Sequence, residues 1–250
     1  MTCGAIEREL VPGRADLPPL VFLHEGLGSL GLWRDFPRRV AAACGGPTTL
    51  VYSRPGYGDS PPALLPRPVS YMHHEALAVL PAVLAEAGIE YPVLVGHSDG
   101  ASIALIHAGA GHPVTALVLL APHAFVEDRT VAGIEAATRA YDAGPLRTRL
   151  ARHHADVDAT FRGWSEVWLS APFRCWNIED TLPTITSPLL LVQEAGDPYG
   201  TLAQLDAIEA GVSAPVTRLV LPGQGHSPHE AAPDEVATGI AAFLSGLTPA

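Results

Sequence analysis

Cysteine is scarce in this chain. There are three, Cys3, Cys44 and Cys175, widely spaced and odd in number. Neither a CxxC zinc pair nor a disulfide framework can be read from them. Long apolar runs are lacking as well. The longest, at about residues 113–122, is roughly half of what a membrane span needs, so no membrane association is expected. The first residues carry no basic stretch followed by an apolar one. No signal peptide is therefore read, and a cytoplasmic enzyme is the expectation. Bases are in short supply: 15 Lys and Arg face 26 Asp and Glu, a net charge of −11. Such a surface repels phosphate backbones, and no nucleic-acid partner is expected. Charged residues make up only 16% of the chain against 48% apolar, which excludes intrinsic disorder. No internal repeat is visible.

What is present is an alternation. Short runs rich in Val and Leu occur at residues 20–23, 49–52, 93–95, 116–120, 189–192 and 216–221. Continuous apolar runs of this length suit strands covered on both faces, as in a parallel sheet. Helical candidates lie between them, at residues 77–87, 99–110, 201–210 and 234–244. Pro81 makes the start of the first irregular. Thr201 is placed to cap the third, and Pro233 precedes the first turn of the fourth. The β–α–β succession implies a doubly wound, mostly parallel α/β sheet. From about residue 125 to 187 the rhythm stops, and helix-compatible stretches at 130–141, 146–154 and 158–170 replace strands. This segment reads as a helical cap or lid on a single domain whose core is 1–124 and 188–250. The plainer alternative is extra helices against one sheet edge.

The chemistry concentrates at Gly96-His97-Ser98-Asp99-Gly100, directly after an apolar strand and directly before a helical pattern. A very sharp strand-to-helix turn strains its middle residue, and side chains two positions either side would collide, so glycine is needed at both. The turn exposes the Ser98 hydroxyl at the carboxyl edge of the sheet. It also sets Ser98 at a helix N-terminus, where amides and the dipole favour a developing oxyanion. Asp99 is excluded as the central residue, because its flanking positions would be His97 and Ala101 rather than glycines.

In this motif and in the order of its elements the chain resembles the α/β-hydrolase superfamily. The resemblance implies a nucleophile, then an acid, then a histidine base along the chain. Ser98 is the implied nucleophile. His226, in the Gly225-His226-Ser227-Pro228 loop before the last helix, is the implied base, with His229 as competitor. Asp197, in the loop after the penultimate strand, is the implied acid, with Glu194 as fallback; an Asx turn before Pro198 is the structural alternative for Asp197. The loop Leu23-His24-Glu25-Gly26-Leu27-Gly28 matches the family's oxyanion loop. Its Gly26 N–H and the Asp99 N–H are the expected oxyanion donors. Glu25 departs from the pattern by occupying a position usually held by glycine. It is expected to make a structural hydrogen bond, at the edge of the substrate pocket.

The loop from Tyr52 to Ser60 resembles a stretch that braces the oxyanion loop in relatives, and Arg54 in it is expected to pair with a carboxylate. Phe161, Trp164 and Trp168 share a helix face. Packing of the inserted segment is the first expectation for that face; lining of the substrate pocket by Trp164 and Trp168 is the second. His73, His74, His153 and His154 read as surface residues. No cofactor and no metal is implied. The resemblance implies a serine hydrolase acting on a small-molecule acyl substrate, an ester above all. The alternatives are carbon–carbon hydrolase, lyase or perhydrolase chemistry at the same three residues, and then a ligand-binding protein without turnover.

Overall fold

The computed structural model describes residues 5–247, so Cys3 lies outside the described residues. The strands are β1 (Arg8–Val11), β2 (Leu20–Leu23), β3 (Thr49–Tyr52), β4 (Val93–His97), β5 (Ala116–Leu120), β6 (Leu189–Glu194) and β7 (Val216–Leu221). They form one sheet in the order β1-β3-β2-β4-β5-β6-β7. Only β1 runs antiparallel, against β3. The crossovers reverse direction at β2, whose neighbours are β3 and β4. The carboxyl ends of β2 and β4 therefore sit side by side with Leu23 opposite Gly96, which is where a doubly wound sheet opens a crevice.

The helices are α1 (Phe36–Ala43), α2 (Tyr71–His74), α3 (Leu80–Ala87), α4 (Asp99–Gly109), α5 (Asp128–Asp142), α6 (Pro145–Leu150), α7 (Val157–Leu169), α8 (Ala203–Gly211), α9 (Pro228–Ala231) and α10 (Pro233–Ser245). β2 to β6 are buried along their whole length, as a sheet covered on both faces requires. Their side chains divide by the period of two. Leu20, Phe22, Val93, Val95, Val118 and Leu120 join α1 and α10 in one core layer. Val21, Leu23, Leu94, Leu117, Leu119 and Leu191 join α3, α4 and α8 in the other. α4 is buried on nearly every side, wedged between the sheet and the helices that follow β5.

Three helix bounds expected from sequence are adjusted, and two elements are added. The helix placed at 77–87 begins earlier: α2 runs into α3 through a π-helical turn at Glu75–Val79, just ahead of Pro81. A π-turn there accommodates the amide that proline lacks. α8 starts at Ala203, whose N–H donates to the Thr201 hydroxyl at 3.2 Å. The helix placed at 146–154 stops at Leu150. The edge strand β1 and the helix α1 were not foreseen. β1 is a mostly exposed Arg-Glu-Leu-Val, and α1 carries Pro37-Arg38-Arg39 between its buried Phe36 and Val40. Neither shows the apolar continuity on which the other elements were recognised.

Between β5 and β6 the chain forms α5, α6 and α7 and two short 3₁₀ turns, joined by a single bridge between Phe125 and Asn177. Asp156 caps α7 by accepting the Ala159 N–H at 2.9 Å. Phe161 stacks on Tyr141 with ring centroids 3.8 Å apart, and Phe173 stacks on Trp176 at 5.4 Å. This segment is tied to the sheet by a histidine. His154 is buried, not at the surface as its polar surroundings in sequence suggested. Its Nδ1 accepts the Gly58 N–H at 3.0 Å and its Nε2–H donates to the Leu27 carbonyl at 2.9 Å. Burial holds its pKa below the ordinary histidine value, consistent with a neutral ring that accepts on one side and donates on the other. Among the described residues no helix is long and apolar enough to cross a membrane.

Candidate active site

Ser98 sits at the tip of the turn from β4 to α4 with φ 51° and ψ −116°. A non-glycine residue there carries backbone strain of about 1–3 kcal/mol. The two glycines make the turn possible. A Cβ on Gly96 would run into the Gly100 carbonyl, and a Cβ on Gly100 would run into the Leu23 carbonyl at the end of β2. The Ser98 N–H is secured to the Leu120 carbonyl of β5 at 2.9 Å.

Three sequence-distant side chains meet at this tip. The Ser98 hydroxyl lies 2.8 Å from His226 Nε2, and His226 Nδ1 lies 2.7 Å and 3.0 Å from the two oxygens of Asp197. A proton on Nδ1, facing the carboxylate, leaves Nε2 as the acceptor for the serine hydroxyl. Asp197 is fully buried. It also accepts the Tyr199 N–H at 2.8 Å. The Asx turn and the histidine contact, weighed as alternatives from sequence, therefore coexist in one side chain. Burial raises the Asp197 pKa, but the hydrogen bond and charge of His226 and the Tyr199 amide outweigh it, and the net shift is downward. Glu194 takes a different part: its carboxylate accepts the Gly225 N–H at 2.9 Å and so fixes the loop that carries His226.

The loop after β2 is held from behind by Arg54, whose guanidinium is fully buried. It donates to the His24 carbonyl, and to the Glu25 carbonyl at 3.0 Å. The Glu25 carbonyl accepts two further donors, His24 Nδ1–H at 2.7 Å and Gly28 N–H at 3.1 Å. Glu25 C=O and Gly26 N–H belong to one planar trans peptide, in which the two groups point in opposite directions. Drawing the carbonyl toward Arg54 therefore turns the Gly26 N–H away from Arg54, and Gly26 lines the cavity. The second amide, Asp99 N–H, is the first of α4 and has no acceptor within the helix. The Asp99 side chain faces the interior. It accepts from the Tyr71 hydroxyl at 2.6 Å, Tyr71 accepts from Trp168 Nε1–H at 2.9 Å, and Arg54 stands 4.0 Å from the same carboxylate. That contact is the carboxylate partner expected for Arg54.

Glu25 points back toward the nucleophile turn. Its carboxylate lies 3.4 Å from His97 Nδ1, an ionic contact longer than a hydrogen bond, while His97 Nε2–H donates to the His226 carbonyl at 2.7 Å. Burial pulls the His97 pKa down, but Glu25 and the His226 carbonyl outweigh it, and the net shift is upward, toward the charged form. Burial likewise pushes Glu25 up, and the His97 charge reverses that and holds it well below the carboxylate range. The pair ties the loop after β2, the turn at Ser98 and the loop that carries His226 together. The glycine at 28 leaves room for it, since a Cβ there would strike the Glu25 carboxylate.

These groups open onto a cavity of about 250 Å³. Glu25, Trp164 and Trp168 all line it. Trp164 lies against the backbone of Gly26, where a Cβ would overlap the indole. The helix face that carries both tryptophans thus packs the inserted segment and walls the cavity, so the two readings from sequence are not exclusive. His123, His153 and His229 line it too and were not assigned a place there from sequence. Burial pushes His123 and His229 down to about 3, so both are neutral. His123 lies 5.7 Å from the His226 ring and 5.5 Å from Trp168, ring centre to centre. Its only sequence signal was a position just after β5. His229, the competitor for the base, packs against Trp33 and Phe36 rather than Ser98.

The profile of the Alpha/beta hydrolase family matches residues 20–238, nearly the whole chain. The protein belongs to that family. Its fold is similar to that of an esterase from Exiguobacterium antarcticum, with TM-score 0.72 at 15% identity over 96% of each chain. It is also similar to a proline iminopeptidase of Mycobacterium smegmatis, with TM-score 0.68 at 19% identity over 97% of this chain and 96% of the other. In sequence it is 36% identical over 104 residues to 2-succinyl-6-hydroxy-2,4-cyclohexadiene-1-carboxylate synthase of Serratia proteamaculans. That match takes in 42% of this chain and 37% of the relative.

Two outcomes follow from the geometry. Gly100→Ala should destabilise the protein by about 1–3 kcal/mol in denaturant melts, because the obstacle is backbone rather than a movable side chain. An unchanged midpoint would mean that the turn can relax. The Glu25–His97 pair should leave a pH signature. His97 is raised, so its share of stability is complete below the unfolded histidine value and lost as pH rises through the folded one. Glu25 is lowered, so its share is complete above the unfolded carboxylate value and lost as pH falls through the folded one. The stability gap between wild type and Glu25→Gln should therefore be widest at mildly acidic pH, between the unfolded carboxylate and histidine values of about 4.5 and 6.5, and should narrow as pH rises through the folded His97 value. A gap of constant size across that range would count against the ion pair.

Proposed function

We propose that the protein is a serine hydrolase of small esters or related acyl compounds, with Ser98 as nucleophile, His226 as general base and Asp197 as the acid that orients it. The observation that carries this reading is the unbroken run of contacts from Ser98 through His226 to Asp197, set beside Gly26 and Asp99, which both line the cavity. A substrate carbonyl enters between Ser98 and their amides. The Ser98 oxygen attacks its carbon as the hydroxyl proton passes to His226 Nε2, and the C=O pair moves onto oxygen to give a tetrahedral oxyanion. Gly26 N–H and Asp99 N–H stabilise that charge. The proton returns from His226 to the leaving alcohol, giving the acyl-enzyme. His226 then takes a proton from water, hydroxide adds to the acyl carbon, and Ser98 leaves with the proton. Asp197 stays ionised throughout and stabilises the imidazolium.

The second reading keeps the site and changes the reaction. The partial match to a cyclohexadiene-carboxylate synthase favours it: the same serine and histidine would then serve chiefly to move protons in an elimination. The two readings separate on simple substrates. Short-chain p-nitrophenyl esters should be turned over, and a fluorophosphonate should label the protein at Ser98. Ser98→Ala should lose label and at least about a thousandfold of turnover while keeping its fold. Labelling without ester turnover would transfer the case to the proton-moving reading, and labelling that survives Ser98→Ala would remove Ser98 as nucleophile.

A further inference from the structure

The charges around the cavity do not cancel. Glu25 faces His97 at 3.4 Å, Arg34 faces Glu230 at 3.6 Å, and the Asp99 carboxylate is taken up by Tyr71 and Arg54. His123 and His229 are neutral through burial. One charged lining group is left, Arg149 near the end of α6. Among the described residues it makes no ion pair and no side-chain hydrogen bond, although Arg147, two residues earlier, holds Asp158 at 2.6 Å. It is close enough to Tyr199, whose ring lies 4.7 Å from that of His226, for its charge to act on the tyrosine hydroxyl.

This arginine is unusual for the chain. Acids outnumber bases 26 to 15, so carboxylate partners are plentiful. Most arginines elsewhere in the described residues have a carboxylate, carbonyl or aromatic partner, including Arg67 over the Tyr57 and Tyr71 rings and Arg129 on the Asp197 carbonyl. The arginines without one, Arg139, Arg149 and Arg152, fall together on α5, α6 and the turn after it. Of these only Arg149 lines the cavity. An exposed guanidinium left without a protein partner at the rim of the cavity that Ser98 also lines, on a protein of net charge −11, is free to meet an anion that enters.

We propose that Arg149 binds a carboxylate on the substrate, at the end away from the carbonyl that Ser98 attacks, so that the preferred substrates are acids as well as acyl compounds. This rests on the reading of Ser98 as nucleophile for its kinetic consequence, but not for its binding consequence. A cavity of about 250 Å³ lies at the small end of ligand pockets. It suits a short dicarboxylic half-ester better than a long acyl chain. Arg139 and Arg152, outside the cavity, would add to the attraction of an anion toward the same face.

The test is a matched pair of substrates. The p-nitrophenyl half-esters of succinate, glutarate and adipate are compared with the same compounds methylated on the free carboxylate. Wild type should favour the acids, and Arg149→Gln should reduce the acid-to-methyl-ester ratio of kcat/KM by roughly ten- to a hundredfold. Arg149→Lys should restore part of it, since charge returns without the two-pronged donor. An acid-to-methyl-ester ratio unmoved by Arg149→Gln would overturn the proposal, including the case where both substrates decline together. If no ester is turned over, the hydrolase reading fails separately, and binding decides. Trp164 and Trp168 line the cavity, so titration of tryptophan fluorescence with monomethyl and dimethyl glutarate reads occupancy. A preference for the monomethyl acid that disappears in Arg149→Gln supports the anion site. Equal affinity of wild type for both compounds overturns it.

Discussion

The backbone at Ser98 is strained, and a strained residue persists only where its surroundings leave it no alternative. Here the constraint has three parts. β4 enters the turn paired on both sides, to β2 and β5. α4 leaves it wedged between sheet and helices, buried along nearly all its length. The missing side chains at 96 and 100 let strand, turn and helix close to backbone contact. Once Ser98 is fixed in this way, every other group reaches it from a separate loop: Gly26 after β2, Asp197 after β6, His226 after β7. None of these loops is set by its own sequence alone. Arg54 fixes the first, the Tyr199 amide and the Arg129 contact fix the second, and Glu194 with His97 fixes the third.

That division explains what could be read in advance. The turn at Ser98 was legible because its two glycines are written within five positions, although what a Cβ at 100 would strike is the Leu23 carbonyl of β2 and not its own turn. The five inner strands were legible because a sheet covered on both faces demands continuous apolar runs. Asp197 over Glu194 was a weaker inference, since both carboxylates stand at the end of the same strand and only the path of the loop after β7 decides which one meets an imidazole. That loop brings Gly225 to Glu194 and the His226 ring to Asp197, so each acid has its own task. The histidines were the least legible. His97, His123, His154 and His229 are all buried, each by residues distant in the chain. A histidine in a polar stretch reads the same on paper whether its neighbours will be water or a tryptophan.

The departure at Glu25 shows how a local misfit is absorbed. An unpaired carboxylate in this loop would oppose any negative charge formed between Gly26 N–H and Asp99 N–H, and low dielectric would strengthen that opposition. Two features remove it. The main-chain carbonyl of Glu25, not its side chain, is what orients the Gly26 peptide, so the side chain is free to turn elsewhere. It turns to His97, whose positive charge offsets its own, and the same imidazolium grips the carbonyl of His226. Glycine at position 25 would give an equally open oxyanion loop but would leave His97 without a counter-charge and the histidine loop without that anchor.

The inserted segment is bound into the same arrangement rather than laid over it. Trp164 presses on Gly26 so closely that no side chain fits there, and Trp168 donates to Tyr71, which donates to the carboxylate of the residue next to Ser98. His154 closes the link from the other side by holding Leu27, one residue beyond Gly26. Movement of α7 would therefore be felt at both Gly26 and Asp99. A segment with such connections cannot swing as an independent flap without loosening the geometry it covers. Access to Ser98 must then depend on smaller changes at the rim, where Leu146 of α6 is half-buried and Arg149 exposed and where the protein keeps its uncompensated positive charge.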